Sequence, residues 1–291
     1  MLSYLHKIVN KFGYAVAPIN INDLDDYYQE YPESSVKGRR FYNVGAGSFS
    51  HPAWTNVDFI SDWYKHSTKM TLAGMNYDLL EMKPLPIDDA SAEVVYTSHT
   101  IEHITDAAAL NLFSESYRIL RKGGFLRITT PNIDLEYAAY RSGDRKFFYW
   151  EEDESVPGRW EGLKYNKPMK AASLDQVFLA HFATSASTIH ADGAPKRVED
   201  EELRKMFSSM SYEDVLNYCT SLCPLDIQRK YPGNHINWWN FEKLVRMLKL
   251  AGFQDVYASA FGQSHCGILR NTYYFDSTHP KISLYVESRK N

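Results

Sequence analysis

A glycine turn set between two apolar runs constrains this chain more than any other feature. Tyr42-Asn43-Val44 leads into Gly45-Ala46-Gly47, and the next apolar run, Trp54-Thr55-Asn56-Val57, ends on a single acid, Asp58, eleven residues after Gly47. Glycine accepts the backbone of a sharp turn and lets main chain come close to a ligand. An acid at the tip of the second run accepts hydrogen bonds from a ribose diol. Such a pattern belongs to an α/β sheet that holds a nucleoside at its strand tips. The turn reads G-x-G without the third glycine of the dinucleotide fingerprint, which argues against a pyrophosphate cradle.

The flanking sequence extends the same pattern. Residues 41–44, 55–59, 77–80, 92–98 and 125–130 read as strands, and the unbroken apolar middle of 92–98 suits a strand covered on both faces. Leu110, Phe113, Tyr117 and Leu120 recur at three- and four-residue steps, so a helix is expected from near Asp106, stopped by Gly123-Gly124. A second helix, marked by Phe241, Leu244, Val245, Leu248 and Ala251, stops at Gly252. Two strands without an intervening helix, 253–261 and 282–286, close the chain as an antiparallel edge hairpin. The expected fold is α/β: a mostly parallel sheet with right-handed crossovers and helices on both faces. We divide the chain into a leader, 1–37, a core, 38–134 and 235–291, and an insert, 135–234, too long for a simple crossover and read as a helical lid or substrate subdomain.

Composition narrows the function classes. The 291 residues include 32 Lys and Arg against 36 Asp and Glu, a net charge of -4, with no basic stripe of the kind a general polyanion binder needs. Nucleic acid is therefore not the expected partner. Cys219, Cys223 and Cys266 contain no C-x-x-C pair, which fits thiols in a reducing cytoplasm. No apolar run approaches the roughly 20 residues of a membrane span. The stretch 1–9 is mildly amphipathic and reads as a short packed helix, and the acidic 23–30 as a solvated helix face. Phe147 to Trp150, Trp160 and Tyr165 read as core of the insert, and the acidic run 151–154 as a solvated turn.

An ordered set of motifs over residues 40 to 135 resembles the class I S-adenosylmethionine-dependent methyltransferases: Asn43-Val44-Gly45-Ala46-Gly47, Asn56-Val57-Asp58, Asp78-Leu79 with Leu85-Pro86, Ser98-His99-Thr100-Ile101-Glu102-His103, and Leu120-Arg121-Lys122-Gly123-Gly124. The resemblance implies a Rossmann-like, seven-stranded sheet and S-adenosylmethionine as cofactor. It places Gly45 and Gly47 under the methionine and ribose, with Asn43 and Ala46 beside them, and Asp58 on the ribose hydroxyls. Asp78 and Leu79 then flank the adenine, and Ser98 and His99 face the reacting methyl. The outline also resembles bacterial enzymes that methylate surface polysaccharides or their nucleotide-linked precursors, which implies a small or medium polar acceptor, methylated at oxygen.

His99, Glu102 and His103 would share one face if a helix began at Ser98. They resemble the Glu-x-x-Glu-His helix of small-RNA 2′-O-methyltransferases, with His99 in place of the first glutamate, Thr129-Thr130-Pro131-Asn132 like the strand end found there, and His235, His181 or His190 as a distant ligand. Three readings stay open: a divalent-metal site of His99, Glu102, His103 and His235, metal-free catalytic duty, or packing. His190, near Asp192, is a second candidate base. Tyr137, Tyr140 and Arg141 either line the acceptor pocket or pack the insert, and Arg204, Arg229 and Lys230 either meet an anionic acceptor or sit on the surface. Two alternatives remain: a methyltransferase of RNA or protein, and a non-catalytic cofactor-binding partner subunit.

Overall fold

A computed structural model of the chain describes residues 20–61, 74–148, 171–190 and 196–291, with Val9 and Lys11. The amphipathic stretch 1–9, Trp150, the acidic run 151–154, Trp160, Tyr165 and Asp192 fall outside this description or largely so.

Seven strands form one sheet in the order β3-β2-β1-β4-β5-β7-β6. They are β1 (Phe41–Val44), β2 (Trp54–Asp58), β3 (Gly74–Asn76), β4 (Ala92–Ser98), β5 (Leu120–Pro131), β6 (Asp255–Ala258) and β7 (Ser283–Arg289). β1 to β5 are parallel, and β7 runs antiparallel to both β5 and β6. The expected terminal hairpin is there, with its second strand slotted between β5 and β6.

Alternation along the strands sorts the core into two layers, because successive side chains leave a strand on opposite faces. Tyr42, Val44, Val57, Val95, Leu126, Ile128 and Val286 pack with helices α3 (Asp106–Ile119) and α9 (Phe241–Leu250). Phe41, Trp54, Val94 and Tyr96 pack on the other face against Tyr27 of α1 (Leu24–Glu30), Val36 of α2 (Glu33–Lys37) and Ile268, Leu269 and Phe275 from the excursion between β6 and β7. Asp25, Asp26 and Glu30 of α1 are exposed as expected, but Asp23 just before it is buried 2.8 Å from Nε2 of His51, and Tyr27 is fully buried and accepts the indole N–H of Trp54 at 2.6 Å.

Three local features depart from the sequence reading. Residues 77–80 do not form the third strand. Asn76 ends β3, and Asp78 caps a short 3-10 turn (Leu79–Glu81) by accepting the amide of Leu80 at 2.8 Å. A run of three strand residues is too short to carry a visible alternation. The helix α3 also stops before Gly123-Gly124. Leu120 is already extended and pairs with Ala92, and the glycines sit where the register slips, so that Val94 next pairs with Phe125. At the other end, α3 is capped by Thr105, whose hydroxyl accepts the amide of Ala108, with Asp106 as the first helical residue. Finally, β1 and β2 are joined by residues 45–53 without a helix, a connection shorter than parallel strands usually need. The leader helices and the β6–β7 excursion cover the face that a crossover helix would have shielded.

The insert builds its own core. Phe148, Val177, Phe178, Leu179, Phe182, Leu203, Val215 and Leu216 are buried together, from helices α4 (Ile133–Ser142), α5 (Leu174–Phe182), α6 (Asp200–Ser209) and α7 (Tyr212–Ser221). Tyr137 and Tyr140 pack against this cluster. Arg204 is held by Asp175, Nη2 to Oδ2 at 2.7 Å, rather than left free for a ligand. A six-residue helix, α8 (Leu225–Lys230), returns the chain over the strand tips. Among the described residues, no helix is long and apolar enough to cross a membrane.

Candidate active site

The carboxyl ends of β1, β2 and β4 open into a two-lobed crevice. Gly45 turns there with φ +70° and gives its amide to the carbonyl of Val57 at 2.8 Å. A methyl at Gly45 would come 2.1 Å from Oγ1 of Thr100, so glycine is required by space as well as by φ. Gly47 donates its amide to Oδ2 of Asp58 at 2.6 Å, and Phe59 donates to Oδ1 at 2.7 Å. The acid thus ties the glycine turn to the tip of β2. Burial pushes the Asp58 carboxyl upward from its usual pKa, against the pull of these two amides.

The first lobe, a cavity of about 450 Å³, is lined by Gly45, Gly47, Asp58, Asp78, His99 and His103, with Phe59, Leu80 and Ile104 as apolar walls and Gln228, Arg229 and Pro232 reaching in from the end of the insert. Its size suits a small-molecule ligand. Leu80 rather than Leu79 lines it. Asp78 is present, with Oδ2 paired to Nη1 of Arg229 at 3.2 Å. The second lobe, about 610 Å³, shares Gly45, Gly47, Ser48 and His99 with the first and adds Asn43, Ala46, Tyr96, Ser98, Tyr273, Tyr274, Ser277 and Thr278. Oδ1 of Asn43 is buried there with no hydrogen bond in the structure.

His99 stands where the lobes meet, at φ +49°, a left-handed conformation costly for a side chain-bearing residue. No α-helix starts at Ser98. A 3-10 turn (Ile101–His103) follows, and it still brings His99, Glu102 and His103 together. Nδ1 of His99 lies 3.2 Å from Oε1 of Glu102, and its Nε2 shares a 2.7 Å hydrogen bond with the hydroxyl of Ser283, which itself donates to the carbonyl of His279 at 2.9 Å. Burial raises the pKa of Glu102, but His99 and His103 outweigh it and hold the carboxyl down at about 2. Oε2 of Glu102 accepts the Thr130 hydroxyl at 3.1 Å. Nδ1 of His103 donates to the carbonyl of Asn234 at 3.0 Å, and the backbone after Asn234 brings His235 alongside, ring centroids 4.8 Å apart.

His190 is buried but lines neither lobe. Tyr137, Tyr140 and Arg141 are likewise absent from both, which favours their packing role. Thr100, Gln228, Arg229, Tyr273 and Tyr274 line the crevice without having been singled out as cofactor-site residues. A G-x-G spacing points to the turn itself. Nothing local in sequence marks residues that reach the same crevice from a hundred or more positions away.

The crevice fits S-adenosylmethionine. Asp58 is the residue that would hold the ribose diol, Phe59, Leu80 and Ile104 would flank the adenine, and the buried Asn43 oxygen would meet the ammonium group. Residues 52–128 match the methyltransferase domain family. A probable S-adenosylmethionine-dependent methyltransferase of Mycolicibacterium smegmatis is 46% identical over 48 residues, a stretch covering 16% of this chain and 18% of that protein. Among solved structures, an S-adenosylmethionine-dependent methyltransferase of Thermotoga maritima, described as a possible histamine N-methyltransferase, aligns over 100% of both chains at 13% identity and a TM-score of 0.40. One from Mesorhizobium loti aligns over 92% of this chain and 97% of its own at 14% identity and a TM-score of 0.37. The match to the methyltransferase domain family covers residues 52–128, the stretch that runs from β2 into β5 in the sheet whose strand tips form the crevice.

Proposed function

We propose that the protein transfers a methyl group to an oxygen of a small or medium polar acceptor, uncharged and sugar-like, that lies in the second lobe. The observation that carries this reading is the position of His99, at the junction of the lobes and backed by Glu102. S-adenosylmethionine supplies a methyl already activated on sulfonium sulfur, so the protein's own tasks are alignment and proton removal. Asp58 and Asp78 orient the adenosine in the first lobe. Glu102 holds the His99 ring, and Nε2 takes the proton of an acceptor hydroxyl that displaces Ser283.

The lining of the second lobe supports the acceptor class. Among the described residues it offers hydroxyls from Ser48, Ser50, Ser98, Ser277 and Thr278, and rings from Phe49, Tyr273 and Tyr274, with no Lys, Arg, Asp or Glu. Rings that stack on a sugar face and hydroxyls that exchange hydrogen bonds recognise a neutral polyol, and none of the described lining residues is a Lys or Arg to meet a phosphate. The RNA and protein alternatives draw no comparable support.

The test is methyl transfer from labelled S-adenosylmethionine to a panel of neutral and phosphorylated saccharides. Neutral acceptors are expected to be labelled at oxygen. His99→Ala should lower kcat by about a hundredfold or more while cofactor affinity changes little. Labelling confined to phosphorylated acceptors or RNA, or an unchanged kcat in His99→Ala, overturns the reading.

A further inference from the structure

Behind the wall of the first lobe lies a cluster that methyl transfer as described leaves mostly unused. Glu102, His103 and His235 bring one carboxylate oxygen and two imidazole nitrogens within 4.8 Å of one another. Because Nδ1 of His103 is committed to the Asn234 carbonyl, its Nε2 carries a lone pair, and that atom stands 3.9 Å from Oε1 of Glu102. The ring of His235 stands beside that of His103, with centroids 4.8 Å apart. Oε1 of Glu102 receives no well-directed hydrogen bond among the described residues.

A small void adjoins Glu102 and His235, though His103 does not line it. It measures about 10 Å³ and is enclosed by Glu102, Glu136, His235, Thr130, Trp238 and Trp239 among others, room for a single atom-sized occupant. Oε1 of Glu136 is also buried without a hydrogen bond, and its Oε2 accepts from Nδ1 of His181 at 2.7 Å. The His181 ring lies 5.3 Å from that of His235. Two imidazoles whose Nδ1 atoms are tied to a carbonyl and a carboxylate thus flank a third.

We propose that Glu102, His103 and His235 bind one divalent transition-metal ion. Two neutral imidazoles and one carboxylate suit zinc, iron or cobalt, whereas magnesium and calcium require mostly oxygen ligands. The Nδ1 anchor of His103 is the outer-sphere contact that holds a ligating ring in orientation. As pure packing, the cluster would leave buried acceptors unsatisfied, a cost that a cation removes. His99 bonds to the carboxylate rather than joining the metal-binding group. The ion therefore steadies the Glu102–His99 pair, and His103 links it to the first lobe.

The site goes beyond methyl transfer and does not depend on it. The experiment strips the full-length chain with a chelator and titrates it with Co²⁺, with neither cofactor nor acceptor present. Stoichiometric uptake is expected, with the visible absorption of nitrogen-ligated cobalt and a raised Tm. Glu102→Gln and His235→Ala should each weaken binding at least about tenfold. His265→Ala, on the β6–β7 side of the sheet, should bind as wild type does. Failure of the wild-type chain to take up Co²⁺ or Zn²⁺ stoichiometrically, or wild-type affinity in both ligand variants, overturns the site. Metal capture is read without methyl transfer, so failure of one proposal leaves the other standing.

Discussion

Asp58 closes the glycine turn through the amide of Gly47, and in the function proposed above it also takes the ribose diol. Charge-assisted hydrogen bonds contribute about 1.5–3 kcal/mol each, so Asp58→Ala should weaken S-adenosylhomocysteine binding by about a hundredfold or more by calorimetry. Its pH dependence follows from the raised pKa. The diol needs the carboxylate, so affinity should fall as pH drops, and begin to do so above the ordinary Asp value of about 3.9. The stability of the ligand-free chain carries the opposite sign from this group. A raised folded-state pKa stabilises at low pH, and that contribution is lost as pH rises through it. The two glycines should also separate. Gly45→Ala drives a methyl into Thr100 and should lower both Tm and cofactor affinity, whereas Gly47→Ala meets no atom within 4 Å and should cost only its backbone strain, about 1–2 kcal/mol. Equal effects of the two would refute the close approach at Gly45.

Within elements, the periodic signal was strong where a strand or helix is long and sided. The stripe of α3, the run of β4 and the apolar face of α9 were all legible in sequence. The signal failed at β3, three residues long, and at the end of α3, where Leu120 pairs with β4 sooner than the glycines would stop a helix. Arg127 is the clearest case of an element decided by its neighbours. A charge in mid-strand, it is fully buried, bidentate to Asp276 at 3.0 and 2.6 Å and within 3.0 Å of Glu287. It pins the β6–β7 excursion that contributes Tyr273, Tyr274, Ser277 and Thr278 to the second lobe. Arg127→Leu leaves two carboxylates buried without a cation and should destabilise the fold by about 3–5 kcal/mol in urea unfolding. A change below about 1 kcal/mol would mean that the excursion holds its place without that anchor.

Across the molecule, α8 carries Arg229 to Asp78, so the last part of the insert closes one side of the first lobe. Cofactor binding should therefore slow amide exchange over residues 225–232, and unchanged exchange there would deny α8 any part in closure. The ion pair is half exposed and such pairs contribute about 0–1 kcal/mol, so Arg229→Ala should shift cofactor Kd by less than about fivefold. By itself, the sequence determined the parallel sheet, the glycine turn, Asp58 and the His99–Glu102–His103 set, because each depends on spacing within a few residues. The resemblance to small-RNA methyltransferases names His235 as a partner of His103, but not its place beside that ring. Nothing in the sequence showed that no helix joins β1 to β2, or that no Lys, Arg, Asp or Glu among the described residues lines the second lobe. Those properties arise where segments far apart in the chain pack against one another, and only the packed structure sets which side chains share a wall.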